Sequence, residues 1–467
     1  MALYVSSRTR RPSLPVILVL VWLFQGVPAI RAQSASATPL RLTMGDTVTR
    51  ARAASYALVA VDKRIADART YIDRSSAWLA SNPFFSGGAS ASDSTFERGT
   101  DNPDVFRTER FGPSYSFTLQ QDFEIAGQRS ARVQAAERGL EVVLNDRRNS
   151  EASIDAEAKK LFAAALESDA KVALAKRSTG LIQRVNAAFD RHPDSDKERI
   201  AFNSSTMQLH RRRRREASAR RAREEAHRQL KRVIGLPLDM QLVLDGALEQ
   251  RPRKLPSLRE LMSGLADRRA DVAAYRSLLA RTDAELTLAK RLAIPDISVF
   301  GFISRFDSGD AGDETSGGGS LGFNLPVFQG NGPSVDDAIS ERQRAAVELD
   351  DLIRLVESNL ATAYGQTQDA AEELQTVIDE IIPRSRENVE LQQRRAQRGE
   401  VRSYDTVDYE IELVGAEEEL VTAQRVYTDA LIELEKAAAV PLAPAGGSLT
   451  SSAQPASPGE EQKSDSK

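Results

Sequence analysis

The chain has 467 residues and a formal net charge of −4, with 28% charged and 6% aromatic residues. That balance lacks the basic excess of a nucleic-acid binder and favours long solvated helices over a thick globular core. Cysteine is absent, which excludes disulfides, thiolate metal sites, thiol catalysis and a lipidated N-terminal cysteine; three histidines, His192, His210 and His227, argue against a histidine-rich metal site.

At the N-terminus Arg8, Arg10 and Arg11 precede the apolar run "LPVILVLVWLF", and small residues follow in "VPAIRAQSASA". A basic region, a short apolar core and small residues at a cut site describe a secretory signal peptide over residues 1–37, with an uncleaved anchor as the alternative. No later run reaches about 18 apolar residues, so a mature chain that enters a membrane must do so as β-structure.

A helix is expected from about Gly45 to Leu79, stopped by the Asn-Pro of "SNPFF", with a weak strand at "NPFFSGGA". From Phe111 to Ile125 the odd positions are apolar or aromatic except Gln121, while the even ones are Gly, Ser, Thr, Gln, Asp or Glu. Period two with one apolar face predicts a half-buried strand, with Tyr115, Phe117 and Leu119 on the apolar face and Ser116, Thr118 and Gln120 on the wet one. Taken with the signal peptide, it is expected to be a membrane strand with the apolar face toward lipid; an edge strand of a soluble sheet is the plainer alternative. A helix without proline then runs from about Arg129 to Phe189, roughly 90 Å long at 1.5 Å per residue. Its apolar Ile154, Ala158, Leu161, Ala165 and Val172 fall at coiled-coil spacing. The turn "AAFDRHPDSDKERI", with Pro193, leads to a second helix.

The same order then recurs. "PSLRELMSGLADRRADVAAYRSLLARTDAELTLAKRLA" reads as a helix stopped by "IPD", and "DISVFGFISRF" as a strand whose alternation slips around Phe300. In the next strand Leu321, Phe323, Leu325 and Val327 alternate with Ser320, Gly322, Asn324 and Pro326; Leu321, Phe323 and Leu325 are expected on the lipid side. A long helix follows, with Leu349, Ile353, Val356 and Leu360 on its seam; Gly399 ends it in "RRAQRGEVRSYDTV", and Ser403 is the expected cap of a last helix with Val407, Ile411, Val414 and Val421 inside. The tail from 444 to 467 has the composition of a disordered segment.

The recurrence is visible in the letters. "HRQLKRVIGLPL" and "LIELEKAAAVPL" align Leu230 with Leu434, Pro237 with Pro441 and Leu238 with Leu442. Two repeats are therefore expected, over 38–247 and 248–443.

Together these features resemble the outer membrane factor family, the TolC-like exit channels of bacterial tripartite pumps. The resemblance rests on "NLPVFQGNG" followed by "AISERQRAAVEL", on "IPRSRENVELQQRRAQRGEVRSYDTVDYEIELVGAEEEL", on "LADRRADVAAY" and on the duplication. It implies a mainly α chain with four membrane strands, three chains sharing a 12-stranded barrel continuous with a helical tunnel, and a place in the bacterial outer membrane reaching into the periplasm. It further implies a passive duct, not an enzyme, without cofactor or metal, acting as a homotrimer with a periplasmic adaptor, an inner-membrane transporter and outer membrane lipid. The two helical turns become adaptor-docking tips: Arg191, Pro193 and Asp194 in the first, which has no glycine, and Arg398, Gly399, Glu400 and Ser403 in the second. Asp405 and Asp408 become candidate acids of a periplasmic gate, against a reading as surface acids near a helix start.

One run stays ambiguous: "HRRRRREASARRAREEAHR", His210 to Arg228, reads as a solvated helix face, as an electropositive band, or as the polyanion-binding helix of a periplasmic coiled-coil scaffold, the rival to the duct. No G-x-S-x-G, P-loop or HExxH pattern points to catalysis.

Overall fold

The computed structural model describes residues 40–91, 93–96, 107–110, 113–188, 195–307, 313–323, 331–401 and 405–442. The expected signal peptide and the expected disordered tail lie outside them.

Helices β-strands and turns follow the expected order, with breaks that have local causes. β1 (Leu40–Leu42) leads into α1 (Met44–Ala54), opened by a capping box in which Thr43 and Asp46 exchange bonds. The single opening helix expected over 45–79 is instead two. At Ser55 the backbone turns extended, the Ser55 side chain accepts a bond from the Leu58 N–H, and α2 (Tyr56–Ser75) begins, ending before the Asn-Pro. β2 (Phe84–Ser90), β3 (Asp93–Phe96), β4 (Arg107–Arg110) and β5 (Ser114–Phe123) follow. Then α3 (Gln128–Ala188) runs for 61 residues unbroken, and α4 (Asp196–Val233) returns from a start capped by Ser195.

In the second half β6 (Leu242–Leu244) pairs in parallel with β1. The helix expected over "PSLRELMS…KRLA" is divided into α5 (Leu258–Met262), α6 (Leu265–Arg268) and α7 (Ala270–Leu292). Gly264, at φ +65°, makes the first break, and Arg269 in extended conformation the second. The breaks aim two guanidinium groups at the end of the last helix: Arg269 donates to the Lys436 carbonyl at 2.7 Å and Arg268 to the Ala438 carbonyl at 3.4 Å. β7 (Ile297–Asp307) and β8 (Asp313–Phe323) precede α8 (Gly332–Thr376), which passes through a π-helical turn (Val377–Ile381) into α9 (Ile382–Gln397). Pro383 explains the turn: it has no N–H to give to the preceding turn, and its ring crowds that carbonyl, so the helix widens locally instead of ending. α10 (Thr406–Ala438) closes the chain.

β2, β5, β7 and β8 form one antiparallel sheet in that order, and β3 and β4 pair separately between β2 and β5. The helices form a layer: α3 packs on α2, α4, α7 and α10, while α8 packs on α7 and α10. Both expected seams are inside it. Ala158, Ala165 and Val172 are buried, as are Val356, Leu360, Val407 and Val414; Ile154, Leu161, Leu349, Ile353 and Ile411 pack at their margins, while Val421, expected inside, is half-buried and joins none of these clusters. The repeat has a packing counterpart, since Leu230 and Leu434 are each fully buried, one with Phe162 and Leu42, the other beside Tyr364 and Leu360.

The repeat also copies a helix stop. After α4, Gly235 takes φ +68° and the Leu236 N–H bonds the Lys231 carbonyl at 2.9 Å. Two hundred and four positions later Ala439 takes φ +51° and Val440 bonds Glu435 at 3.3 Å. Both are Schellman stops, but the second uses a residue with a Cβ, and Ala439 is the one non-glycine with positive φ among the described residues. Ala439→Gly is therefore expected to stabilise the fold by about 1 kcal/mol, read as a higher denaturation midpoint. Gly235→Ala is expected to lower it, because its Cβ would stand 2.7 Å from that of Ala54 as well as in the left-handed region.

Candidate functional site

The sheet register sorts its side chains into two faces. Cross-strand partners share a face, so the pairs Phe85–Leu119–Gly301–Gly319 and Gly87–Phe117–Ile303–Gly317 belong to one side. The same side carries Tyr115, Val299, Leu321 and Phe323, so the five described residues expected to face lipid lie together; Leu325 lies outside the described residues. The Phe85 and Phe117 rings stack with centroids 6.0 Å apart. These side chains are exposed in the single chain, Leu321 at 76% and Phe323 at 62%. The charged exceptions sit toward one end, where Arg305 pairs with Asp313, and Gln121 lies toward the other.

The opposite side carries Ser86, Ser116, Thr118, Gln120, Ser298, Ser304, Ser316 and Ser320, as the alternation in β5 anticipates. It also carries Phe84, Phe300, Phe302 and Phe306, which single-strand periodicity did not place. The signal was there, in the slip of alternation around Phe300.

Within each chain β2 and β8 are edge strands with one partner apiece, and the sheet does not close on itself. Its strands feed the long helices through a tied junction. Gln128, buried at the start of α3, accepts from the Ala126 N–H and donates to the Ile294 carbonyl and to Asp296, joining the ends of β5 and α7. Beside it Arg132 pairs with Glu124.

At the far end of the helices lies the second turn. Gly399 has φ +75°, its N–H bonds the Ala396 carbonyl at 3.0 Å, and the Glu400 N–H bonds that of Arg395 at 3.0 Å, a Schellman stop at the expected glycine. Glu400 accepts from Arg398 at 2.6 Å and from Arg395 at 3.4 Å, and these bonds hold its carboxyl below the ordinary range. The next helix starts with Asp405 at its cap position, making no side-chain cap bond; the expected cap, Ser403, lies outside the described residues. So do Arg191, Pro193 and Asp194 of the first turn. The helix ends beside that turn are nevertheless next to the second: Leu181 packs with Val407 and Val414, and Arg184 pairs with Glu410 at 3.4 Å.

Asp408 is exposed in the first turn of α10, and its charge acts on Arg212 of α4. Burial and the neighbouring Arg215 push the Arg212 guanidinium down, against Glu418 and Asp408. The rest of the arginine run is largely outward, and several of its members have acids in reach. Arg223 and His227 both meet Asp169 of α3, Arg220 meets Glu216 at 2.5 Å and Arg228 meets Glu225 at 2.6 Å. Half-buried Asp169 is pushed up by burial, but the bonds from His227 and Arg223 outweigh this and hold its carboxyl below the usual range. These contacts are those of a solvated helix tied to its neighbour.

No helix among the described residues is long and apolar enough to cross a membrane. The family model described as outer membrane efflux protein matches residues 261–440. Among solved structures the fold is similar to CusC, whose structures concern transmembrane channel formation, at a TM-score of 0.65 and 15% identity over 85% of this chain and 91% of that one. The open outer membrane channel MtrE of Neisseria gonorrhoeae aligns at 0.63 and 18% over 85% and 89%, and the outer membrane protein VceC of Vibrio cholerae at 0.60 and 16% over 85% and 95%. No curated protein sequence matches the chain.

Proposed function

We propose, from the premise that the chain is an outer membrane efflux protein with the fold of outer-membrane channels, that it is the exit duct of a tripartite export pump. Three copies would share one barrel of twelve strands, and the helices would continue it as a tunnel toward a periplasmic adaptor and an inner-membrane transporter. The observation that carries this reading is the sheet. It has one apolar exposed face and two open edges, and it is followed in the chain by helices of 61 and 45 residues, the latter extended by α9. A lone four-stranded sheet cannot close in lipid, and known membrane barrels begin at about eight strands. Head-to-tail association supplies each edge with a partner and closes a ring. The two repeats, 38–247 and 248–443, would each contribute two strands and one helical hairpin. The turns would form the adaptor-docking end, through Arg398, Gly399 and Glu400 with Arg191, Pro193, Asp194 and Ser403, and Asp405 and Asp408 would line the mouth. Movement through such a duct is passive, powered by the transporter. The scaffold reading leaves the apolar sheet without an occupant, and Arg220, Arg223 and Arg228 already meet acids of α3 and α4.

Cell fractionation tests the assignment. The mature protein is expected in the outer membrane as a heat-modifiable trimer in detergent; recovery as a soluble periplasmic species would overturn the duct.

The strand assignment has its own test. Phe117→Arg is expected to cost about 2–4 kcal/mol if the residue sits near the bilayer midplane, while Ser116→Arg on the other face is better tolerated, both read as the yield of folded trimer. Equal tolerance would contradict the assignment.

Gly399→Val tests the turn. A β-branched residue resists the left-handed conformation, so the stop is misaimed while sheet and coil stay as they are. Trimer assembly and insertion are expected to persist and export to be lost. Survival of export, or loss of assembly along with it, would remove Gly399 from the docking surface.

A further inference from the structure

The face of the sheet turned away from the apolar one combines rings with negative charge. Phe84 and Phe300 share one cross-strand row with Gln120 and Ser320, and Phe302 occupies the next with Ser86, Thr118 and Gly318. Further along, Phe306 stands opposite Glu314. Phe84 is 61% exposed and Phe302 47%. Two glycines of β8 set how the rings lie. A Cβ at Gly318 would come within 3.0 Å of the Phe302 ring, and one at Gly322 within 3.1 Å of the Phe300 ring. The rings therefore occupy space that the missing β8 side chains leave open, which larger β8 residues would close.

The ionisable residues of this face, among the described strand positions, are Asp122 and Glu314; the rows between them hold only Ser, Thr, Gln, Gly and Phe. Asp122 is held on this side by Ser298, which donates to it at 2.6 Å, one row from Phe300. Arg305 belongs to the other face and is paired with Asp313. Exposed ring faces attract cations through their quadrupole, and fixed carboxylates nearby favour the same sign, so the two features select one class of solute.

We infer that this face is a transit site for organic cations bearing apolar or aromatic groups. The inference rests on the duct reading, in which this face lines the passage, and deepens it by naming a solute class. In a closed ring of three copies the site occurs three times at one height, with Phe300 and Phe302 as the ring contacts and Asp122 as the fixed charge. Simple metal ions gain from the carboxylates but not from apolar contact with the rings.

Purified trimer in planar lipid bilayers tests this through block of the ion current. The probes are benzyltriethylammonium, tetraethylammonium as a cation without a ring, and benzenesulfonate as a ring with the opposite charge. Benzyltriethylammonium is expected to block at the lowest concentration. Phe302→Ser should raise its half-blocking concentration about threefold, and the double change Phe300→Ser with Phe302→Ser about tenfold, the factors expected of one and two exposed ring–cation contacts. Each value is referred to that variant's own open current. Phe302→Leu, which keeps an apolar group over Gly318, covers a failure of the Ser variants to fold and should weaken block as they do. Asp122→Asn should weaken block by both cations. Equal block by benzenesulfonate, or unchanged block in the Phe302 variants, would overturn the inference and leave the duct standing. Absence of any channel current would overturn the duct and this inference with it.

Discussion

A backbone N–H or C=O that enters a bilayer must find a partner there, because no water replaces one. In the proposed duct the rest of the architecture follows from that requirement. β2 and β8 each leave a row of such groups unpaired within the chain. Neither edge carries a proline among its described residues, and β8 is glycine-rich with its charges, Asp313 and Glu314, confined to one end, so most of each edge is left open to pairing. The helical layer has the same form. α4 lies mainly on α3, and α8 mainly on α7 and α10, so the main packing of the layer does not close on itself among the described residues. A sheet and a helical layer that do not close on themselves are geometrically suited to one head-to-tail repetition that satisfies both at once.

Such a ring needs a wall that keeps its register over the length of α3. The seam between α3 and α10 supplies it. Lys159 meets Glu435, Arg177 meets Glu417 and Arg184 meets Glu410, in constant antiparallel step along the two helices. Half-exposed pairs of this kind each contribute only about 0–1 kcal/mol, so they set alignment more than stability. Stability comes from the apolar clusters at mid-length, where Phe162, Leu230, Leu360, Tyr427 and Leu434 are almost wholly buried. The sheet end is thereby tied to the turn end through packed helix, with the buried Gln128 at one extreme and the Leu181–Val407 contact at the other.

How much of this could be read from the letters depended on whether the cause was local or distant. The β5 alternation, the long proline-free helix, the glycine stop at 399 and the duplicated "GLPL" and "AVPL" endings all have causes within a few residues, and each element is present. The breaks at Ser55 and at Gly264 were not legible, because periodicity continues across them and the break is set by a cap or by where Arg268 and Arg269 must reach. The pairing of β1 with β6 spans some two hundred positions, and strands of three residues have no periodicity to find. The first turn's residues and Ser403 lie outside the described residues, so the candidate docking surface is legible in structure mainly at Arg398, Gly399 and Glu400.

The contrast between β5 and β7 shows why alternation is an uneven guide in such a sheet. In the proposed duct a strand lies between lipid and a passage and one face is dictated by its solvent; Tyr115, Phe117 and Leu119 on β5 share that face with Val299 and Ile303 on β7. The other face carries no such requirement, since a water-filled passage accepts Ser116 and Thr118 as readily as rings laid against glycine. Phe300 and Phe302 break the pattern of β7 without disturbing its outer face, because Gly318 and Gly322 on the neighbouring strand make room for them. Period-two analysis thus recovers the face that the bilayer constrains and loses the face left free to vary. In the proposed duct that free face meets the solute, so differences in what such chains carry should be sought in residues that spoil the pattern.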